Sequence, residues 1–178
     1  REVPLGGPRA MPVRRTLPQR DRSLIGAWCF ADHYGPDDVA KTGGMNVPPH
    51  PHTGLQTVSW LFTGEIEHRD SIGSPAMVRP GEANLMTAGR GIAHSEVSTP
   101  QTRILHGAQL WVALPASAQD AEPAFETYAP DPVVRGGATV RVFLGSTVGS
   151  TSPVRTFTPL LRAEILLEPG ADITLHIE

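Results

Sequence analysis

One cysteine, Cys29, stands in 178 residues, which excludes a disulfide framework and a structural zinc site rich in thiolates. The cytosol is the expected compartment for such a chain. Nothing marks Cys29 as a thiolate, and within the apolar segment 23–30 it reads as a packed small hydrophobe. There is no run of about 18 apolar residues and no signal-like apolar segment at the start, so neither a membrane span nor secretion is expected. Lysine occurs once, at Lys41, and a net charge of −3 with a pI near 6.2 leaves no basic footprint for nucleic acid. The arginines gathered early in the chain, Arg9, Arg14, Arg15, Arg20 and Arg22, read as a solvated basic arm.

Turn formers are abundant instead. With 18 glycines and 18 prolines the apolar runs are short, and 39% hydrophobic residues suffice for one sizeable core. That combination favours an all-β barrel or sandwich over a helical bundle. Residues 1–13, with Pro4, Gly6, Gly7, Pro8 and Pro12, read as an extended arm, residues 23–30 as an early strand and residues 32–42 as a loop. Residues 57–62, a β-branched and aromatic run closed by Gly64, form a strand by composition and length. A turn over Arg79-Pro80-Gly81-Glu82, a strand at 83–87 and a tight turn at Gly89-Arg90-Gly91 follow. Further on, 104–114 reads as a strand with a break, 116–132 as an acidic surface connection, 138–144 as an alternating strand and 145–152 as a loop. Residues 160–167 and 173–177 are strand candidates on either side of the turn Glu168-Pro169-Gly170.

Two short pairs carry the chemistry, His50-Pro51-His52 and His94-Ser95-Glu96. Pro48, Pro49 and Pro51 keep the first pair extended and exclude a helix there. In extended backbone, residues two apart point to the same side, so both members of each pair can reach one ion. Three imidazoles and a carboxylate suit iron, copper, nickel or zinc; in a six-coordinate site four protein ligands leave two positions for water, oxygen or substrate. His33, His68, His106 and His176 find no such partner in this pattern and read as structural.

These residues resemble a known family. Gly44, followed by His50-x-His52, and Pro80-Gly81, followed by Gly91-x-x-His94, are similar to the two cupin motifs. More specifically, the run from Pro49 to Val58, His68-Arg69-Asp70-Ser71, the run from Thr87 to Ile92, and His94-Ser95-Glu96 resemble the pirin family. Arg14-Arg15-Thr16-Leu17-Pro18, Asp32-His33-Tyr34-Gly35-Pro36, Gln109-Leu110-Trp111-Val112 and Thr158-Pro159 extend the likeness. The resemblance implies an all-β cupin barrel (double-stranded β-helix, jelly-roll), the N-terminal cupin of a bicupin with only the opening strands of the second. Residues 1–155 would form the metal-binding cupin with its arm, and residues 156–178 the start of a truncated C-terminal cupin. The tail would pair with the first barrel's sheet or leave an open edge.

The resemblance also assigns the metal ligands, His50, His52, His94 and Glu96, and iron as the metal, with nickel, copper or zinc as alternatives. Gln56 stands where the general cupin pattern has a glutamate, so Glu96 supplies the carboxylate and Gln56 becomes a candidate for contact with the ligands. The implied function is an iron-dependent dioxygenase of the quercetin type acting on a flavonol-like small molecule, with Glu96 as the general base. The alternative is a redox-sensing regulatory protein that binds a transcription factor or a metabolic enzyme, with no direct nucleic-acid or membrane contact. For that role Arg69-Asp70 and the loop before the ligand strand are candidate elements, with a surface salt bridge as the simpler account.

Overall fold

The computed structural model describes residues 1–5 and 11–176. The chain opens with β1 (Glu2–Pro4), β2 (Pro12–Leu17) and β3 (Trp28–Asp38), passes the one-turn helix α1 (Val39–Thr42), and continues through β4 (Asn46–His52), β5 (Leu55–Thr63), β6 (Ile66–Asp70), β7 (Ala76–Val78), β8 (Ala83–Thr87), β9 (Ile92–Ser98) and β10 (Ile104–Ala113). Then come β11 (Ala124–Tyr128), β12 (Val133–Arg135), β13 (Ala138–Leu144), the short hairpin β14 (Ser146–Thr147) and β15 (Ser150–Thr151), and β16 (Arg162–Leu167). No helix among the described residues is long and apolar enough to cross a membrane.

A seven-stranded sheet, ordered β1-β2-β3-β10-β5-β8-β11, packs on a four-stranded sheet, ordered β4-β9-β6-β7. Val13, Tyr34, Leu61 and Leu105 of the first meet Val47, Ile66 and Val78 of the second in one buried cluster, the apolar end of the barrel. This is the all-β cupin barrel. The apolar run in β5 is explained by burial on both faces. Thr57, Ser59 and Leu61 alternate with Val58 and Trp60, and the latter two pack with Phe143, Leu144 and Val154 in a second cluster outside the barrel. The Gly89 turn before β9 is possible only without a side chain: φ is +51° and a Cβ would lie 1.8 Å from the Ala121 carbonyl oxygen. That turn sets the start of the strand carrying His94 and Glu96.

Several local expectations change. Residues 32–38 are strand, not loop, because pairing with β10 through Asp32↔Gln109 and Tyr34↔Gly107 overrides their polar composition. The early strand begins at Trp28, leaving Leu24 and Ile25 exposed. The connection 116–132 contains β11, which pairs with β8. Strand β10 is continuous, its break reduced to a register shift between His106 and Gly107. The loop 145–152 holds the β14–β15 hairpin. The arm is itself paired, β1 to β2 and β2 to β3, and Arg15 is tied to Asp32 rather than solvated; Arg9 lies outside the described residues. At the other end β16 pairs with β13 rather than with a barrel strand, at the edge of the three-stranded sheet β12-β13-β16, with Leu166 54% exposed. Residues 173–176 are not strand, and Ile177 lies outside the described residues.

The contact between β13 and the barrel is testable. Phe143 stacks on Trp60 with ring centroids 4.3 Å apart, and Trp60 Nε1 donates to Glu164 at 3.2 Å. Phe143→Ala is expected to destabilise the chain by about 3–5 kcal/mol in denaturant titration; a loss below about 1 kcal/mol would contradict this packing.

Candidate metal centre

Three neighbouring strands present polar pairs at the same spacing on one face. His50 and His52 come from β4, His94 and Glu96 from β9, and His68 and Asp70 from β6. Register brings them together: His50 lies opposite His94 across β4–β9, and Asp70 and His68 lie opposite His94 and Glu96 across β6–β9. The candidate ligand atoms of His50, His52 and His94 all lie within 4.8 Å of one another, and so do those of His68, His94 and Glu96. His94 is common to both groups. The four residues singled out in sequence therefore share one region, with Glu96 set on the His68 side of His94.

The first pair is orientated by its own backbone. His50 Nδ1 lies 2.9 Å from the Pro48 carbonyl oxygen, which can only accept, so Nδ1 carries the proton and Nε2 is free. That Nε2 lies 3.0 Å from His52 Nε2. Glu96, 6% exposed, reaches toward the opposite sheet, where Ser59 Oγ lies 3.3 Å from its Oε1 and 2.8 Å from Gln109 Oε1.

Burial governs the electrostatics. It drives His94 down to about 3, helped by His50, His52 and His68, and His52 down to about 4, helped by His50. His68 is lowered by burial against the opposing pull of Asp70. Burial raises Glu96 to about 7, with the Ser59 hydrogen bond opposing. At neutral pH His52, His68 and His94 are thus held in the neutral form that a metal requires. Three imidazoles and a buried carboxylate with few other partners fit a divalent transition metal.

Beside His50 and His52 opens a cavity of about 470 Å³, lined also by Leu5, Arg15, Phe30, Val47 and Trp111. Trp111 meets the His52 ring edge-on at 5.0 Å and stacks on Phe30 at 4.1 Å, and the Arg15 guanidinium lies 4.3 Å over Phe30. Asp32, 1% exposed, anchors Arg15 through two hydrogen bonds of 2.8 and 2.7 Å. A stacked row thus runs from the histidines across β10, β3 and β2.

Three expectations are corrected here. His68 is not an isolated structural histidine; it is buried beside His94, and its signal in sequence was the same alternate spacing, His68-x-Asp70. Arg69 and Asp70 do not form a surface pair: Arg69 bonds Glu67 on the outer face, while the Asp70 side chain is fully buried. Gln56 makes its hydrogen bonds to Thr87 Oγ1 and the Arg155 carbonyl, not to the histidines, and its Oε1 is buried without a partner.

The family model described as Pirin matches residues 10–112, which include every strand of the cluster. A Pseudomonas aeruginosa protein provisionally named a quercetin 2,3-dioxygenase is 44% identical over 179 residues, covering 100% of this chain and 56% of that protein. Human pirin is 39% identical over 163 residues, 89% of this chain and 54% of its own length. The crystal structure of a quercetin 2,3-dioxygenase from Acinetobacter baumannii superposes with a TM-score of 0.89 at 41% identity, covering 94% of this chain and 56% of that one. The chain spans about half the length of the relatives it matches. With more than half of its residues matched by the family model and the full-chain relative sharing 44% identity, the chain belongs to the pirin family.

Proposed function

We propose that His50, His52, His94 and Glu96 hold one divalent transition metal, iron by family resemblance, and that the chain carries the metal half of a dioxygenase acting on a flavonol of the quercetin type. The observation that carries this is the cavity: about 470 Å³ of largely apolar space opening directly on His50 and His52 is the size of a small-molecule site. The names of the Pseudomonas and Acinetobacter relatives supply the substrate class. When bound, the metal would supply Lewis-acid and redox chemistry toward oxygen and an ionised hydroxyl. The protein's share is orientation. The Trp111–Phe30 stack offers a flat apolar wall leading to His52, against which a planar aromatic ring can lie. Glu96, beside Ser59, is the group proposed to take the hydroxyl proton.

Oxygen uptake with quercetin after reconstitution with iron(II) is the direct assay. Quercetin-dependent uptake is expected, falling at least 100-fold in His50→Ala, on the order of the loss of one essential group. Bound iron without uptake would favour the redox-sensing regulator instead. Glu96→Gln that retains metal and full turnover would remove Glu96 from the role of base. Phe30→Leu, which keeps every ligand, is expected to raise KM for quercetin about two- to tenfold with unchanged metal content, the worth of one aromatic stack; an unchanged KM would count against the wall.

A further inference from the structure

His68 and Asp70 are not needed as ligands by the function proposed above, yet they are among the most deeply buried polar groups of the molecule. His68 is 2% exposed and stacks on Phe125 at 4.3 Å, and the Asp70 side chain is fully enclosed. Burial without hydrogen bonds is costly, so their bonding can be followed atom by atom. Asp70 Oδ1 accepts from the backbone N–H groups of Ile72 and Ser74, both at 3.0 Å. Asp70 Oδ2 lies 3.1 Å from His68 Nε2. A carboxylate only accepts, so the proton of neutral His68 sits on Nε2 and its Nδ1 is left as a bare lone pair. That Nδ1 lies 3.4 Å from His94 Nδ1. Two bare nitrogens facing one another would repel, and His68 has no second proton to give. The proton between the rings therefore belongs to His94 Nδ1.

We infer that Asp70 and His68 form a positioning relay, Asp70 to His68 to His94, which fixes His94 as the Nδ1–H tautomer and leaves its Nε2 as the nitrogen offered to the metal. On β4 the Pro48 carbonyl imposes the same tautomer on His50. Hydrogen bonds from partners outside the ligand set commonly fix the tautomer of a metal-bound histidine, and their loss typically costs about 10–100-fold in metal affinity. Here the outer partner is a second imidazole, so the carboxylate acts at one remove. The inference rests on His94 being a ligand, as proposed above.

Asp70→Asn separates this from a packing role. The two backbone donors hold the amide oxygen where Oδ1 lies now, so the amide nitrogen must face His68 Nε2. His68 then carries its proton on Nδ1, and His94 is driven to the Nε2–H tautomer, which has no lone pair for the metal. Size and burial hardly change. The experiment is long-range ¹H–¹⁵N correlation of the histidine rings in the metal-free full chain, followed by cobalt(II) affinity from chelator competition, for wild type and Asp70→Asn. Protonated His68 Nε2 and His94 Nδ1 in the wild type are expected, with both tautomers reversed and cobalt affinity lowered about 10–100-fold in the variant. A wild-type His94 protonated on Nε2 would overturn the relay without any variant being needed. A folded Asp70→Asn that binds cobalt like wild type would also overturn it. Wild-type tautomers as assigned, in a chain that takes up no cobalt, would overturn the metal function and leave the hydrogen-bond order intact, so the two failures are distinguishable.

Discussion

Enclosing imidazoles and carboxylates inside a small barrel costs free energy unless each finds a partner, and the cupin interior is shaped by that cost. One end of the space between the sheets is apolar, where Tyr34, Leu61, Ile66 and Leu105 pack. The other end holds His52, His68, His94 and Glu96, all buried. Part of the cost is offset by protein partners: Pro48 for His50, Asp70 for His68, Ser59 for Glu96. Ring nitrogens of His50, His52 and His94 converge at one place, His50 Nε2 lying 3.0 Å from His52 Nε2. A metal ion satisfies several such lone pairs at once, which is why function and burial point to the same group of residues.

Strand β9 is the physical link between these layers. Its position between β4 and β6 puts His94 within reach of both, and its start is set by a glycine turn closed against Ala121. The stacked wall of Trp111, Phe30 and Arg15 lies on the facing sheet, and Asp32 keeps its outer member in place. The proposed ligands and the wall thus belong to different sheets. The apolar end of the barrel and the β13 layer behind β5 hold those sheets together, so stability and site geometry depend on the same packing.

The extended backbone of the two proposed ligand pairs was legible in sequence because period-two spacing is a local property: prolines around His50 and the glycine turn before His94 require extended backbone whatever the rest of the chain does. The strands at 57–62, 83–87 and 138–144 were legible for the same reason, being apolar runs of strand length. Residues decided by register were not. His68-x-Asp70 has the same spacing, but its importance comes from lying opposite Glu96 and His94. Arg15 looks like part of a basic arm until β2 is paired with β3 and Asp32 is buried beneath it. The acidic stretch ending in Asp37-Asp38 favours loop by composition, and its long pairing with β10 prevails.

The central claim, that this end of the barrel is a metal centre, is tested most directly by iron(II) binding to the purified chain, with X-ray absorption to identify the donor atoms. The account predicts close to one ion per chain, bound through a shell dominated by imidazole nitrogen with carboxylate oxygen, and lost when His52 or His94 is replaced by alanine. No retained ion after anaerobic reconstitution, or binding undiminished by both replacements, would contradict it.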